Sequence, residues 1–223
     1  MNEKDINDFL SGVEIGCAML SFVKDDYGGR EARGADLTGV AALDEINHRF
    51  DQHCVGYRFE NGLIIRVDSK LVHAEIVKPA LTFLTHQLFS KANEDFMAAH
   101  AHYRSNAYKD CVTAANRSFE STLKAICDAE NWAYGRGDRA SELVTKVNQN
   151  GLFTHEFDKS FSAYVAMLKA GLPNVRNDAG GHGEGVAAAS VTPHIARFAL
   201  NLTAANILFL CESYEALKAK QGD

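Results

Sequence analysis

Apolar residues recur every three or four positions along most of this chain, and the period changes in one place, between residues 55 and 67. A step of three to four buries one stripe of a helix, whereas strands alternate. The chain is therefore expected to be mainly α, with a single β-hairpin near its N-terminal end. Val55-Gly-Tyr-Arg-Phe59 and Leu63-Ile-Ile-Arg-Val67 flank Glu60-Asn61-Gly62. Asn-Gly between β-branched and aromatic residues is a strong short-range hairpin signal, because both central turn positions need positive φ.

Two helices are expected before the hairpin. One runs from Ile6 to Phe22 with Phe9, Leu10, Val13, Cys17 and Leu20 on its stripe and stops at Asp25-Asp26-Tyr27-Gly28-Gly29; the other covers about 38–53, with Thr38 as N-cap. After the hairpin, Asp68 or Ser69 caps a helix through Leu71, Ile76, Leu81, Leu84 and Leu88, in which Pro79 demands a kink or break. These pieces make a small α+β N-terminal module over 1–88: two helices, β-hairpin, helix. Residues 91–219 read as a helical bundle. Its helices are expected at 93–103, at 107–130 with Tyr108, Val112, Ala115, Phe119, Leu123 and Ile126 on the stripe, at Ser141–Val147 and at Asp158–Ala170. A final helix opens at Thr192-Pro193 and runs to about Lys218. Ile195, Phe198, Leu202, Ala205 and Phe209 form its expected stripe, widened by Ile207, Leu208 and Leu210. Such breadth fits either the central helix of a bundle or a helix that partly faces another subunit.

Composition narrows the function classes. With 46% hydrophobic and 23% charged residues the chain can bury a core, which excludes a disordered or fibrous protein. Its five cysteines (17, 54, 111, 127, 211) are odd in number and never spaced C-x-x-C, which indicates neither a disulfide framework nor a zinc site. No metal or cofactor is expected. The start MNEKDINDFL lacks a secretory pattern, and the apolar run around Ile207–Cys211 is short of a bilayer span, so a soluble cytoplasmic protein without a membrane partner is expected. The net charge of -6 argues against coating nucleic acid by bulk charge. Residues 1–90 carry 9 Lys+Arg against 14 Asp+Glu, and residues 91–223 carry 14 against 15, so the C-terminal part is nearly neutral.

The segment richest in chemistry is Pro173-Asn-Val-Arg176-Asn177-Asp178-Ala-Gly180-Gly181-His182-Gly183-Glu-Gly185. It lies between two expected helices and presents an Arg and a His among glycines. A guanidinium holds a phosphate and the charge that builds on it, and an imidazole moves a proton near neutral pH. Arg66 and His73 repeat the pairing at a similar spacing, but they span a strand end and a helix start and lack the following Asn and the glycines. They count as a chance match. The paired histidines His100 and His102, two residues apart on a helix, point to different sides and make a poor metal site.

Arg176-Asn177 followed by His182-Gly183, with a long terminal helix behind them, resembles the signature of the HEPN superfamily. Its ribonucleases carry Arg, four to six residues, then His. His102-Tyr-Arg-Ser-Asn-Ala-Tyr108 and Ala114-Ala-Asn-Arg-Ser-Phe119-Glu120 look like the first two helices of that bundle. More narrowly, Arg-Asn-Asp-Ala-Gly-Gly-His-Gly and the helix containing Ala-Leu-Asn-Leu-Thr-Ala-Ala-Asn resemble the C-terminal domain of abortive-infection (Abi) phage-resistance proteins, and residues 1–88 resemble the N-terminal part of Abi-like proteins. The resemblance implies a HEPN-like helical bundle and a homodimer with a composite active site. It further implies metal-independent RNA cleavage, possible on tRNA, in which the 2′-hydroxyl attacks and a 2′,3′-cyclic phosphate remains. His182 would be general base or acid, Arg176 would stabilise the phosphorane and Asn177 would position it. An antitoxin or regulatory protein is a further expected partner. Glu120 and Lys124, four apart on one helix, are either supporting partners of that site or an exposed ion pair. The alternative is a non-catalytic HEPN-like module that binds RNA or a nucleotide, or serves dimerisation.

Overall fold

The computed structural model describes residues 3–26, 39–53, 55–153 and 191–222. The chain divides into two compact units, Met1–Lys70 and Leu71–Asp223.

In the first unit, α1 (Glu3–Asp26) and α2 (Gly39–Gln52) pack beside an antiparallel hairpin of β1 (Tyr57–Glu60) and β2 (Leu63–Arg66). Asn61 and Gly62 take φ of 46° and 86°, the left-handed pair that a two-residue hairpin turn requires. Leu10, Cys17, Phe59 and Ile64 form the core, with Ile6, Val13, Leu43, Ile46, Phe50 and Tyr57 packed against it. Phe9 leaves the expected stripe and is exposed, because Ile6, Leu10, Val13 and Cys17 already complete a stripe at steps of four, three and four. The proposed Thr38 cap and the loop from Tyr27 to Gly29 lie outside the described residues.

A two-stranded sheet has two open edges, and here side chains from the helices close both. The buried Asn47 amide donates to the Phe59 carbonyl at 3.0 Å while its oxygen accepts the Phe59 N–H at 2.8 Å. Glu14 accepts the Ile64 N–H at 2.7 Å. These bonds satisfy backbone groups that strand pairing leaves pointing outward.

The second unit begins with α3 (Lys70–Val72), a π-turn at His73–Val77 and α4 (Lys78–Leu84). The break expected at Pro79 takes the form of the π-turn immediately before it. Proline offers no N–H to the carbonyl four residues back and its ring crowds that carbonyl. The wider turn relieves this, with the Lys78 N–H donating to the His73 carbonyl. The buried stripe becomes His73, Val77, Ala80, Leu81 and Leu84, and Leu71 is left exposed. The helix ends at Leu84 rather than Leu88. His86 turns extended (φ -66°, ψ 137°), and its ring accepts the Leu88 N–H to cap a 3-10 turn over Gln87–Phe89.

Then follow α5 (Ser90–Arg104), α6 (Tyr108–Ala129), α7 (Ala140–Gln149) and α8 (Pro193–Gly222). α6 is the hub of the unit, packing on α5, α7 and α8. Val112, Ala115, Phe119, Leu123 and Ile126 are all fully buried on it, as the sequence period requires. Ser118 and Ser121 of α6 donate to the Ala92 carbonyl and to the buried Asp95 carboxylate of α5.

α8 buries a different face from the one expected. Ala196, Ala199, Leu200, Thr203, Ala204, Ile207, Leu210 and Cys211 are inside, whereas Phe198 is exposed and Leu202, Ala205 and Phe209 are half-buried. The interior face carries the small residues Ala196, Ala199, Thr203 and Ala204, which suit close packing on α6. Phe209 stacks on Phe153 with ring centroids 5.4 Å apart. The helix Pro193–Gln221 is long and apolar enough to cross a membrane, but half of its most apolar stretch is buried inside the protein, as in the core helix of a bundle. At its end Lys218 and Tyr214 donate to one oxygen of Glu130, and Gln221 to the other. Burial pushes the Glu130 carboxyl up, and these three donors more than offset it and hold it below its ordinary value.

Candidate functional site

Arg176, Asn177 and His182 lie outside the described residues, as does the expected helix at Asp158–Ala170. The described framework bounds their segment on both sides. On the C-terminal side α8 opens at Pro193, with the Thr192 carbonyl accepting the N–H groups of Ile195 and Ala196. On the N-terminal side Leu152 and Phe153 are buried in the bundle.

Glu120 and Lys124 are both on α6, half-buried, one turn apart. No ion pair forms between them. One oxygen of Glu120 instead accepts from the Asn116 amide at 2.9 Å and from the Ala140 N–H at 3.3 Å. Ala140 opens α7, where N–H groups lack partners within the helix and partial positive charge accumulates. Glu142 accepts the neighbouring Arg139 N–H at 3.1 Å, so two carboxylates meet this helix end. Glu120 thus ties α6 to the start of α7.

Sequence reasoning passed over Asn116. It is fully buried, its amide serves Glu120, and its Oδ1 has no hydrogen-bond partner. The signal was present as a polar residue four after Val112 and three before Phe119, inside the apolar stripe. Thr203 on α8 is likewise buried with an unpartnered hydroxyl.

His100 is buried with neither ring nitrogen hydrogen-bonded, and its ring meets Phe96 edge to face at 4.8 Å. Burial, reinforced by the nearby His73, lowers its pKa to about 4, so the imidazole is neutral at physiological pH. Among the described residues no group of three or more His, Cys, Asp or Glu is placed to hold a metal ion. Arg66 pairs with Asp68 at 3.1 Å, and His73 is buried in the π-turn, so the chance Arg/His match of the sequence belongs to two different structural settings. Burial also raises the Cys111 and Cys211 thiols to about 12, which makes them packing groups rather than nucleophiles. A cleft of about 430 Å³ between the end of α4, the 3-10 turn and α8 is mostly apolar, with His86, Tyr214 and Glu215 among its walls.

This helical arrangement around α6 coincides with a family match. Residues 90–214, more than half of the chain, match the model of the Abi_C HEPN-like domain. The chain belongs to the Abi_C family of HEPN-like domains. Residues 1–82 match AbiJ N-terminal domain 4. No curated protein and no solved structure matches the chain. The two domains together support a role in phage defence by abortive infection. The family boundary falls between residues 82 and 90, whereas packing divides the chain at Lys70. The segment around α4 is matched with the N-terminal domain but packs with the bundle, against α5 and α8.

Proposed function

We propose that this HEPN-like protein is a metal-independent endoribonuclease of abortive infection. The observation that carries the reading is the Arg176-Asn177 and His182-Gly183 motif, which falls within the residues matched by the HEPN-like domain, directly ahead of α8. In this reading Arg176 binds the scissile phosphate and stabilises the charge that builds on the phosphorane. His182 takes the proton of the 2′-hydroxyl or returns one to the leaving 5′-oxygen, and Asn177 positions the phosphate by a hydrogen bond. The products are a 2′,3′-cyclic phosphate and a 5′-hydroxyl. The protein acts as a homodimer whose two motif copies form one site. The exposed Phe198 and half-buried Leu202 and Phe209 on the outer side of α8 favour a subunit contact there. An antitoxin or regulatory protein would hold the activity in check in the cytoplasm.

The test is incubation of purified wild type and His182→Ala with total RNA and tRNA in EDTA, followed by mapping of 3′ ends. Wild type should leave cyclic phosphates, and His182→Ala should lose cleavage while keeping its helical circular dichroism. Equal cleavage by both proteins removes His182 from the mechanism. RNA binding without turnover, dependent on Arg176, identifies a binding module instead, and its affinity should fall as salt rises.

A further inference from the structure

The cleft of about 430 Å³ on the helical unit is concave, and its size falls within the range of small-molecule pockets. Its origin is local. α4 stops at Leu84 and His86 turns extended before the 3-10 turn, so the chain leaves the helix axis. Phe83 on one side of this bend and Leu88 and Phe89 on the other line a space against α8, where the buried Cys211 completes the apolar lining. The bend also spans the join between the two family matches, which end at residue 82 and begin at residue 90.

Most polar groups on the walls are already spent. The Thr82 and Thr85 hydroxyls donate to the Lys78 and Thr82 carbonyls at 2.9 and 2.6 Å, and the Tyr214 hydroxyl donates to Glu130 at 3.1 Å. The His86 Nδ1 accepts the Leu88 N–H at 3.2 Å, a bond that only the neutral ring can make. Glu215 is the exception. It is exposed, lines the cleft, and makes no hydrogen bond or ion pair with any described residue. No Lys or Arg stands among the described lining residues, so this carboxylate is the charged group that a ligand meets. Its field reaches the floor of the cleft: burial pushes the Cys211 thiol up to about 12, with Glu215 and Glu212 adding to the effect.

We propose that this cleft binds a small apolar molecule carrying one amine cation, with its body between the apolar walls and its ammonium on the Glu215 carboxylate. An apolar lining with a single unspent charge is the usual design of a small-molecule site, where burial supplies affinity and the polar group sets orientation. Anionic ligands are disfavoured by the same charge. A bound molecule touches both the bend and α8, and so fastens the join between the two matched domains to the terminal helix. The inference stands on the cleft alone, so amine binding and RNA cleavage can fail separately.

The experiment titrates the full chain with phenethylamine, phenethyl alcohol and phenylacetate, followed by ligand-observed NMR. The amine should bind roughly fivefold tighter than the alcohol, the scale of a part-exposed ion pair, and phenylacetate should bind weakest. Glu215→Gln, at an exposed position, should keep the helical circular dichroism and remove the advantage of the amine while leaving the alcohol unchanged. Leu88→Trp fills the cleft and should weaken both ligands roughly tenfold or more. The net charge of -6 gives an amine other carboxylates to visit, so the two substitutions decide where it sits. Amine binding that survives both of them belongs to the general acidic surface and overturns the proposal. So does equal binding of amine and alcohol, or no binding by the wild-type chain, which would show that the chain's own residues fill or cover the cleft.

Discussion

The two units differ in how completely their inward-facing polar side chains are bonded. In the N-terminal unit Asn47 is bonded on both sides of its amide and Glu14 accepts a strand N–H, so the helices complete the hydrogen bonding of a hairpin that would otherwise have open edges. In the helical unit His100, Asn116 and Thr203 each keep at least one buried atom without a partner. A helix satisfies its own backbone, so polar side chains in a bundle core are not needed to complete it. Where they persist they cost stability. The contrast separates groups that hold the fold from groups that the bundle carries for another reason.

The largest expected effect is in the N-terminal unit. Asn47→Leu leaves the Phe59 N–H and carbonyl without partners in a buried place and should destabilise that unit by about 3 kcal/mol. The single tryptophan, Trp132, lies in the helical unit, so amide exchange of the hairpin should change while the Trp132 fluorescence transition stays in place. A joint shift would show that the units unfold together and would end the comparison.

His100 should produce a pH effect of similar order. Its pKa is about 4 in the fold, below the 6.5 of an exposed histidine. As pH falls below 6.5 the unfolded chain takes up a proton that the folded chain refuses, so stability declines from pH 6.5 to 4 and this contribution levels off below that. The full span amounts to about 3 kcal/mol. His100→Leu should flatten the part of the stability profile due to this group, measured by urea unfolding at several pH values. An unchanged profile would show that water or movement already solvates the ring.

A smaller change sharpens the contrast. Glu14→Gln keeps an acceptor for the Ile64 N–H but removes its charge, and should cost about 1 kcal/mol. The smallest is Thr203→Val, which deletes an unpartnered hydroxyl at nearly constant volume. It should leave the Trp132 transition within about 0.5 kcal/mol of wild type or raise it slightly. A loss of 2 kcal/mol or more would mean that the hydroxyl has a partner in solution.

Features that rest on neighbouring residues were legible in the sequence. Asn61-Gly62 specified its turn because both residues tolerate positive φ, and the Thr192-Pro193 start of α8 follows from proline's suitability for a first helical turn. The family was readable through the resemblance of the residues around Arg176 and His182, and the match over residues 90–214 places the chain in it. Glu120 and Lys124 were legible as helix neighbours, but their bonding was not. The partner of Glu120 is the Ala140 N–H, twenty residues away and brought close only when α7 folds back on α6.

By itself, then, the sequence determined the helical class, the hairpin and the α6 stripe, since each needs only the local period or a turn residue. Tertiary packing decided which side of α8 goes inside, because an apolar residue on nearly every side leaves the period undecided and close approach to α6 selects the small ones. It also decided that α4 joins the bundle, that Phe9 is left outside α1's core stripe, and that Asn47 closes a strand edge. Each of those outcomes depends on what lies opposite in space, and a linear pattern does not contain that.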